Sequence, residues 1–83
     1  MSGPLIAVPE FGGELEGSIQ STDFLKKFRR FMTYLHITKD ERMVESFGDH
    51  LKSGSPAEDW FKELDAQKKT FKVVETTFLE RFP

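Results

Sequence analysis

Two pairs of adjacent carboxylates are the residues of this sequence that most resemble acid-base machinery. Asp40 is followed by Glu41, and Glu58 by Asp59. Paired carboxylates can serve as general acid and base when their environments separate their pKa values. Each pair, however, falls in the first turn of a predicted helix, where negative charge favours the positive end of the helix dipole. Helix capping explains both pairs, so we expect no catalytic residue among them.

The histidines and glycines offer little further chemistry. His36 and His50 lie on different predicted elements, and the chain has no cysteine, so nothing in the sequence assembles a metal site. Gly12 and Gly13 lack the following Lys, Ser or Thr of a phosphate-binding loop. The sequence therefore predicts a protein that is not an enzyme, with no catalytic residues, no metal and no cofactor.

A basic cluster is the remaining candidate for a functional surface. Lys26, Lys27, Arg29 and Arg30 fall on the outer side of the first predicted helix. The simplest interpretation is the solvated face of an amphipathic helix, with a subunit contact or a nucleic-acid patch as alternatives. Because 14 acidic residues outnumber 12 basic ones, the chain as a whole does not attract nucleic acid or anionic lipid. We expect nucleic acid to bind weakly at most, through this helix.

Helical spacing of apolar residues predicts the elements that position this cluster. A first helix starts near residues 21–23. Thr38 and Glu41 form a capping box for a second helix of about four turns that ends at Gly54. Gly48 inside that helix hints at a close approach by a neighbouring helix.

The third predicted helix has the sharpest start. Ser55 is its N-cap, Pro56 fits its first position, and Glu58 completes a second capping box. A fourth helix follows a polar turn. The expected core signature of the bundle consists of Phe24, Leu25, Trp60, Phe61, Phe78 and Phe82.

Residues 1–20 are predicted to form an extended N-terminal arm ahead of a helical domain at 21–83, because the arm is rich in Pro and Gly. Its apolar side chains will not stay in water, so the arm either completes the core or leaves a groove for a partner. The residues expected at this arm-docking or peptide groove are Leu5, Ile6, Val8, Phe11, Phe28, Phe31 and Tyr34.

Length and hydropathy limit the class of protein. At 83 residues the chain is one domain with a modest core, which its 13% aromatic content helps to fill. No apolar run approaches the roughly 20 residues that cross a bilayer, and residues 5–8 are too short for a signal-peptide core. We expect a cytoplasmic protein without a membrane partner.

Four short patterns occur in order along residues 9–83. They read Pro9-Glu10-Phe11-Gly12-Gly13, Asp23-Phe24-Leu25-x-x-Phe28, Ala57-x-x-Trp60-Phe61 and Phe78-Leu79-x-x-Phe82. Together they resemble the Gag capsid region of gypsy-type LTR retrotransposons and of domesticated Gag-derived proteins. One departure is that Phe71 and Val74 stand where such proteins often have a tryptophan near the start of the last helix.

The resemblance implies the N-terminal lobe of a capsid protein, a small orthogonal bundle of four or five helices. It further implies a structural function, self-assembly into virus-like particles in the cytoplasm, with the basic cluster as the subunit interface. The alternative is an interaction module that binds short linear peptides in the groove beside the arm; some domesticated Gag lobes are similar in having such a cleft. RNA packaging is not implied, because the cysteines of a zinc knuckle are absent from the sequence.

Overall fold

The computed structural model describes residues 8–14 and 19–83, and these residues form a small helical bundle. Four helices follow in chain order, and a single 3₁₀ turn, Ala66–Lys68, links the last two. Residues 8–14 are extended and carry one isolated parallel bridge, and no strand occurs within the described ranges. The predicted all-α class is confirmed. The helices are α1 (Ser21–Tyr34), α2 (Asp40–Asp49), α3 (Pro56–Leu64) and α4 (Phe71–Arg81).

α1 begins where the sequence predicts and ends in a left-handed turn. His36 has φ 59°, and its N–H donates to the carbonyl of Thr33 at 3.1 Å. The N–H of Ile37 donates to the carbonyl of Met32 at 3.0 Å. These two bonds make a Schellman motif, which satisfies the last carbonyls of the helix and turns the chain toward α2.

The predicted capping box of α2 is wrong. The N-cap is Lys39, which makes no side-chain capping bond, and the helix begins at Asp40. Thr38 is therefore not part of a capping box. Asp40 Oδ1 instead accepts a hydrogen bond of 3.3 Å from the backbone N–H of Phe71, at the start of α4. A tertiary bond to another helix thus replaces the local cap that the sequence pattern indicated.

α2 is also shorter than predicted, because it ends at Asp49 and not at Gly54. The N–H of Lys52 donates to the carbonyl of Phe11 at 2.9 Å, and the N–H of Phe11 donates to the carbonyl of His50 at 3.0 Å. Backbone pairing with the extended segment therefore draws the chain out of the helix after residue 50.

α3 starts at the cap that the sequence predicts. The Ser55 hydroxyl accepts a bond from the N–H of Glu58 at 3.2 Å, and Pro56 occupies the first turn. Glu58 reaches one residue further back than a standard capping box, since its carboxylate accepts the N–H of Gly54 at 3.0 Å.

The core is a cluster of aromatic rings contributed by the extended segment and all four helices. The Phe47 ring lies at its centre, 5.6 Å from Phe24, 5.5 Å from Phe28 and 5.1 Å from Phe78 between ring centroids. Gly48 is needed beside it, because a Cβ there would lie 2.6 Å from the Phe61 ring. Of the predicted core signature, five members are buried and Phe61 is half-buried; the buried ones are Phe24, Leu25, Trp60, Phe78 and Phe82.

Candidate functional site

The extended segment is anchored to the bundle at Phe11. Besides the two backbone bonds of Phe11 itself, the carbonyl of Gly12 accepts the N–H of Ala57 at 3.1 Å, at the start of α3. The Phe11 ring is 3% exposed and lies 4.9 Å from Phe78 and 5.3 Å from Phe82 between centroids. This part of the predicted arm therefore completes the core, and Val8 packs half-buried against it.

The residues predicted to line one groove with Phe11 are distributed over different surroundings. Phe28 is fully buried in the core, and Phe31 lies half-buried with its ring 5.6 Å from His50. Tyr34 is 61% exposed at the far end of α1. Leu5 and Ile6 lie outside the described residues. The structure consequently does not bring the five described members into a common groove.

A groove does lie beside Phe11, but its walls come from elsewhere. It encloses about 530 Å³ between the start of α1 and the end of α4. Arg81 stands at its edge with the guanidinium 4.7 Å from the centroid of the Phe82 ring. The full lining is Phe11, Gly13, Glu14, Ile19, Gln20, Ser21, Arg81, Phe82 and Pro83.

At Gly13 the backbone of the extended segment closely approaches the Phe82 ring in the wall of this groove. Its φ of +75° lies in the left-handed region, and a Cβ there would lie 2.4 Å from the Phe82 ring. Glycine is the residue that meets both conditions without strain. The Pro9 to Gly13 pattern, singled out in the sequence for its resemblance, therefore has a packing function here.

The basic cluster divides into two environments. Lys26, Lys27 and Arg30 are exposed on the outer side of α1. Arg29, although 61% exposed, forms an ion pair with Glu75 of α4, whose side chain is 13% exposed. Arg29 thus ties α1 to α4, and the other three basic residues carry their charge into solvent.

Two shallow grooves run along this outer side of α1 and share Arg29 and Arg30 in their walls. The first encloses about 410 Å³ between α1 and α4, where Leu25 and Leu79 provide apolar surface. The second encloses about 440 Å³ and leads to the exposed ring of Tyr34. The combined surface, which we call the α1 face, is lined by Thr22, Leu25, Lys26, Arg29, Arg30, Thr33, Tyr34 and Leu79.

Sequence reasoning missed the α4 part of the α1 face. Leu79 appears in the sequence only as a member of the fourth short pattern, and the structure places it half-buried at the edge of the groove. Glu75 gave no signal because its partner Arg29 is 46 residues away in sequence. The helical spacing of Leu79, about one residue off the fully buried stripe of α4, is the signal that could have located it.

The carboxylates and histidines take structural positions. The hydrogen bond from the backbone N–H of Gly54 is the main cause that lowers the pKa of Glu58; desolvation opposes it, and the nearby Lys62 ammonium adds a lesser lowering. His50 closes α2, and its Nδ1 donates to the carbonyl of Ser46 at 2.8 Å. No three His, Asp or Glu side chains converge on a metal position within residues 8–14 and 19–83. Glu58 and His50 thus satisfy backbone groups at helix ends.

The α1 face thus combines positive charge, shallow apolar surface and an exposed aromatic ring on a rigid helix. Such a combination suits contact with another macromolecule. None of the helices in the described ranges has the length and apolar character to cross a bilayer. Comparison of the chain with protein-family models, with curated proteins and with solved structures finds no match in any of the three.

Proposed function

We propose that this chain is a structural building block of a Gag-type capsid, which assembles into virus-like particles through the α1 face. The observation that carries the proposal is the exposure of Lys26, Arg30 and Tyr34 along the two shallow grooves of α1. The resemblance of residues 9–83 to Gag capsid lobes supports it. A bundle whose own extended segment completes the core can offer this face to neighbours while it remains folded.

Assembly of this kind uses many weak contacts. Affinity between isolated copies in the millimolar range corresponds to only about −4 kcal/mol. A shell is stable nonetheless, because each copy already held by one neighbour meets the next at high effective concentration. We therefore expect monomers at micromolar concentration and regular oligomers or shells near the millimolar range.

The test combines light-scattering mass measurements with electron microscopy of concentrated protein. The wild type is compared with the double variant Lys26→Glu/Arg30→Glu, which reverses two charges on the α1 face. Arg29 is left unchanged, because reversing it would set a carboxylate against Glu75 and confound assembly with folding. We expect the variant to stay folded and to lose the oligomers.

Lys39→Glu/Lys68→Glu provides the matched control, because it makes the same charge change at two exposed positions outside the α1 face. Lys68 loses its ion pair with Asp65, but both of these side chains are exposed, so the loss should cost at most about 1 kcal/mol and the fold should be retained. Particles that persist in the Lys26→Glu/Arg30→Glu variant, or that disappear equally in the control, would remove the α1 face from the assembly contact.

The groove beside Phe11 favours a second candidate function, the binding of short linear peptides. Its walls combine the apolar surfaces of Ile19 and Phe82 with the cationic Arg81. Peptides selected from a displayed random library should shift the amide resonances of Gly13 and Ile19 and should bind more weakly to Arg81→Ala. Selected peptides that perturb the α1 face and leave this groove unchanged would assign peptide binding elsewhere.

A further inference from the structure

Charge is segregated between the helices of this nearly neutral chain. α1 carries four basic residues and one acidic residue, whereas α2 carries four acidic residues and one basic residue. α3 continues the acidic side with three acidic residues against one lysine, and α4 is balanced. The formal net charge of −2 therefore hides two strongly charged surfaces of opposite sign.

These two surfaces lie on different helices, each on the side remote from the core. Phe24 and Phe28 of α1 lie against Phe47 of α2 in the core. The sides of the two helices that are remote from these rings consequently face away from the shared core. One copy therefore presents a basic surface on α1 and a separate acidic surface on α2, and no ion pair among the described residues joins the two.

The exposed charges on the two helices have the same spacing. On α1, Lys26 and Arg30 are four residues apart, and with the exposed ring of Tyr34 four residues further on they form the basic stripe, which carries two charges. On α2, Glu41, Glu45 and Asp49 follow at the same interval and form the acidic stripe. Residues four apart lie on one side of a helix about 6 Å from each other. The charges of two such stripes can therefore meet in register.

No ion pair among the described residues neutralises a charge of either stripe. The ion pairs that the described residues form join Arg29 to Glu75, Lys52 to Glu14, Lys62 to Glu58 and Lys68 to Asp65, and they include no member of either stripe. Like charges four residues apart on a helix repel each other. A partner that brings the opposite stripe relieves this repulsion on both helices at once.

We propose that the acidic stripe of a second copy of this chain docks on the basic stripe of α1. This inference rests on the proposed function and specifies the surface that meets the α1 face. The contact is heterologous, because the surface that one copy uses differs from the surface that its neighbour uses. Such a contact leaves one stripe free at each end, and it grows into an open filament or closes into a ring.

A second copy fits the basic stripe better than a nucleic acid does. The acidic residues of α2 and α3 and the net charge of −2 oppose the approach of a phosphate backbone. The second copy instead supplies carboxylates at the spacing of the basic stripe. Binding of nucleic acid to this stripe is accordingly an outcome of the test below.

The test uses two complementary double variants. Lys26→Glu/Arg30→Glu makes both stripes acidic, and Glu41→Lys/Glu45→Lys makes both stripes basic. We expect each variant alone to associate at least about tenfold more weakly than the wild type, because two attractive pairs become repulsive. An equimolar mixture of the two should recover association, since every contact then joins opposite charges.

Sedimentation velocity from micromolar to near-millimolar protein provides the readout. Raising the ionic strength from about 0.01 M to 1 M shortens the Debye length from about 30 Å to 3 Å, so association of the wild type and of the mixture should fall. Circular dichroism of each variant checks that the fold is retained. A variant that carries all four substitutions in one chain should associate like the wild type.

The outcomes separate this inference from the proposed function. Loss of assembly in the α1 variant, with normal assembly in the α2 variant and no recovery on mixing, would overturn the stripe pairing and leave assembly through the α1 face intact. A wild type that stays monomeric at low salt near the millimolar range would overturn both. A single-stranded RNA oligonucleotide that binds the wild type and not Lys26→Glu/Arg30→Glu, without any self-association, would reassign the basic stripe.

Discussion

The segment around Phe11 and the α1 face differ in the burial of their side chains: the Phe11 ring of the first lies in the core, and the basic side chains of the second lie in solvent. The backbone of Phe11 is hydrogen-bonded to His50 and Lys52, just after the end of α2, and its buried ring packs against Phe24, Phe78 and Phe82. The side chains of Lys26 and Arg30 project into solvent from a helix that is already stable without them. Stability therefore depends on the first region, and the second is free to make contacts outside the molecule.

The largest effect that would sharpen this comparison comes from Phe11→Ala. Removal of a buried phenylalanine leaves a cavity among Phe24, Phe78 and Phe82, and we expect a loss of about 3–5 kcal/mol in the free energy of unfolding. Urea denaturation followed by circular dichroism measures it. Lys26→Glu/Arg30→Glu is the counterpart and should change stability by less than about 0.5 kcal/mol. Similar losses in the two variants would erase the distinction between the regions.

Gly13→Ala tests how tightly the extended segment packs against the Phe82 ring. The left-handed φ and the contact with the Phe82 ring together predict a loss of about 2–3 kcal/mol. Gly54→Ala is the matched control, since Gly54 has φ +72° but nothing within 4 Å of the added Cβ. The difference in melting temperature between the two variants measures the destabilisation caused by the Phe82 contact alone. Equal melting temperatures would mean that the space beside Phe82 accommodates the added methyl group.

A smaller effect is expected at the start of α3, where Gly12 of the extended segment meets the helix. Ser55→Ala removes the acceptor of the Glu58 N–H and should cost about 1 kcal/mol. Ser53→Ala, at an exposed position two residues earlier, should stay within about 0.5 kcal/mol. Denaturant midpoints of both variants give the comparison, and a cost at Ser53 equal to that at Ser55 would argue against the cap.

The smallest effect concerns pH. Because the Gly54 N–H bond lowers the pKa of Glu58 in the folded state from its ordinary value of 4.5, the ionised carboxylate stabilises the fold above that pH. This stabilisation is lost as pH falls through the ordinary value toward the lowered one. Glu58→Gln should therefore be less stable than wild type at pH 7, and the difference should vanish in acid. Melting temperatures across this range measure it; a gap that persists at low pH would point to packing instead.

Local interactions are what could be predicted from the sequence. The Ser55 cap involves residues three apart, and the stripes of α1 and α4 follow from helical spacing alone. The bonds that shape the rest join distant residues: Asp40 to Phe71 over 31 positions, and Arg29 to Glu75 over 46. No short pattern encodes such pairs, because they exist only once the helices have packed. The wrong start of α2 and the missed α4 side of the α1 face both have this origin.

The position of Phe11 also governs the order of events in folding. Its ring packs against Phe78 and Phe82, which lie near the other end of the described sequence. Contacts between such distant residues form late, since closing a long loop precedes any gain from packing. On a ribosome, where the amino-terminal part emerges first, the segment must wait for α4 before the core can close. We therefore expect the nascent chain to expose its aromatic residues until synthesis has passed Phe82, which makes that interval the period of greatest risk for aggregation.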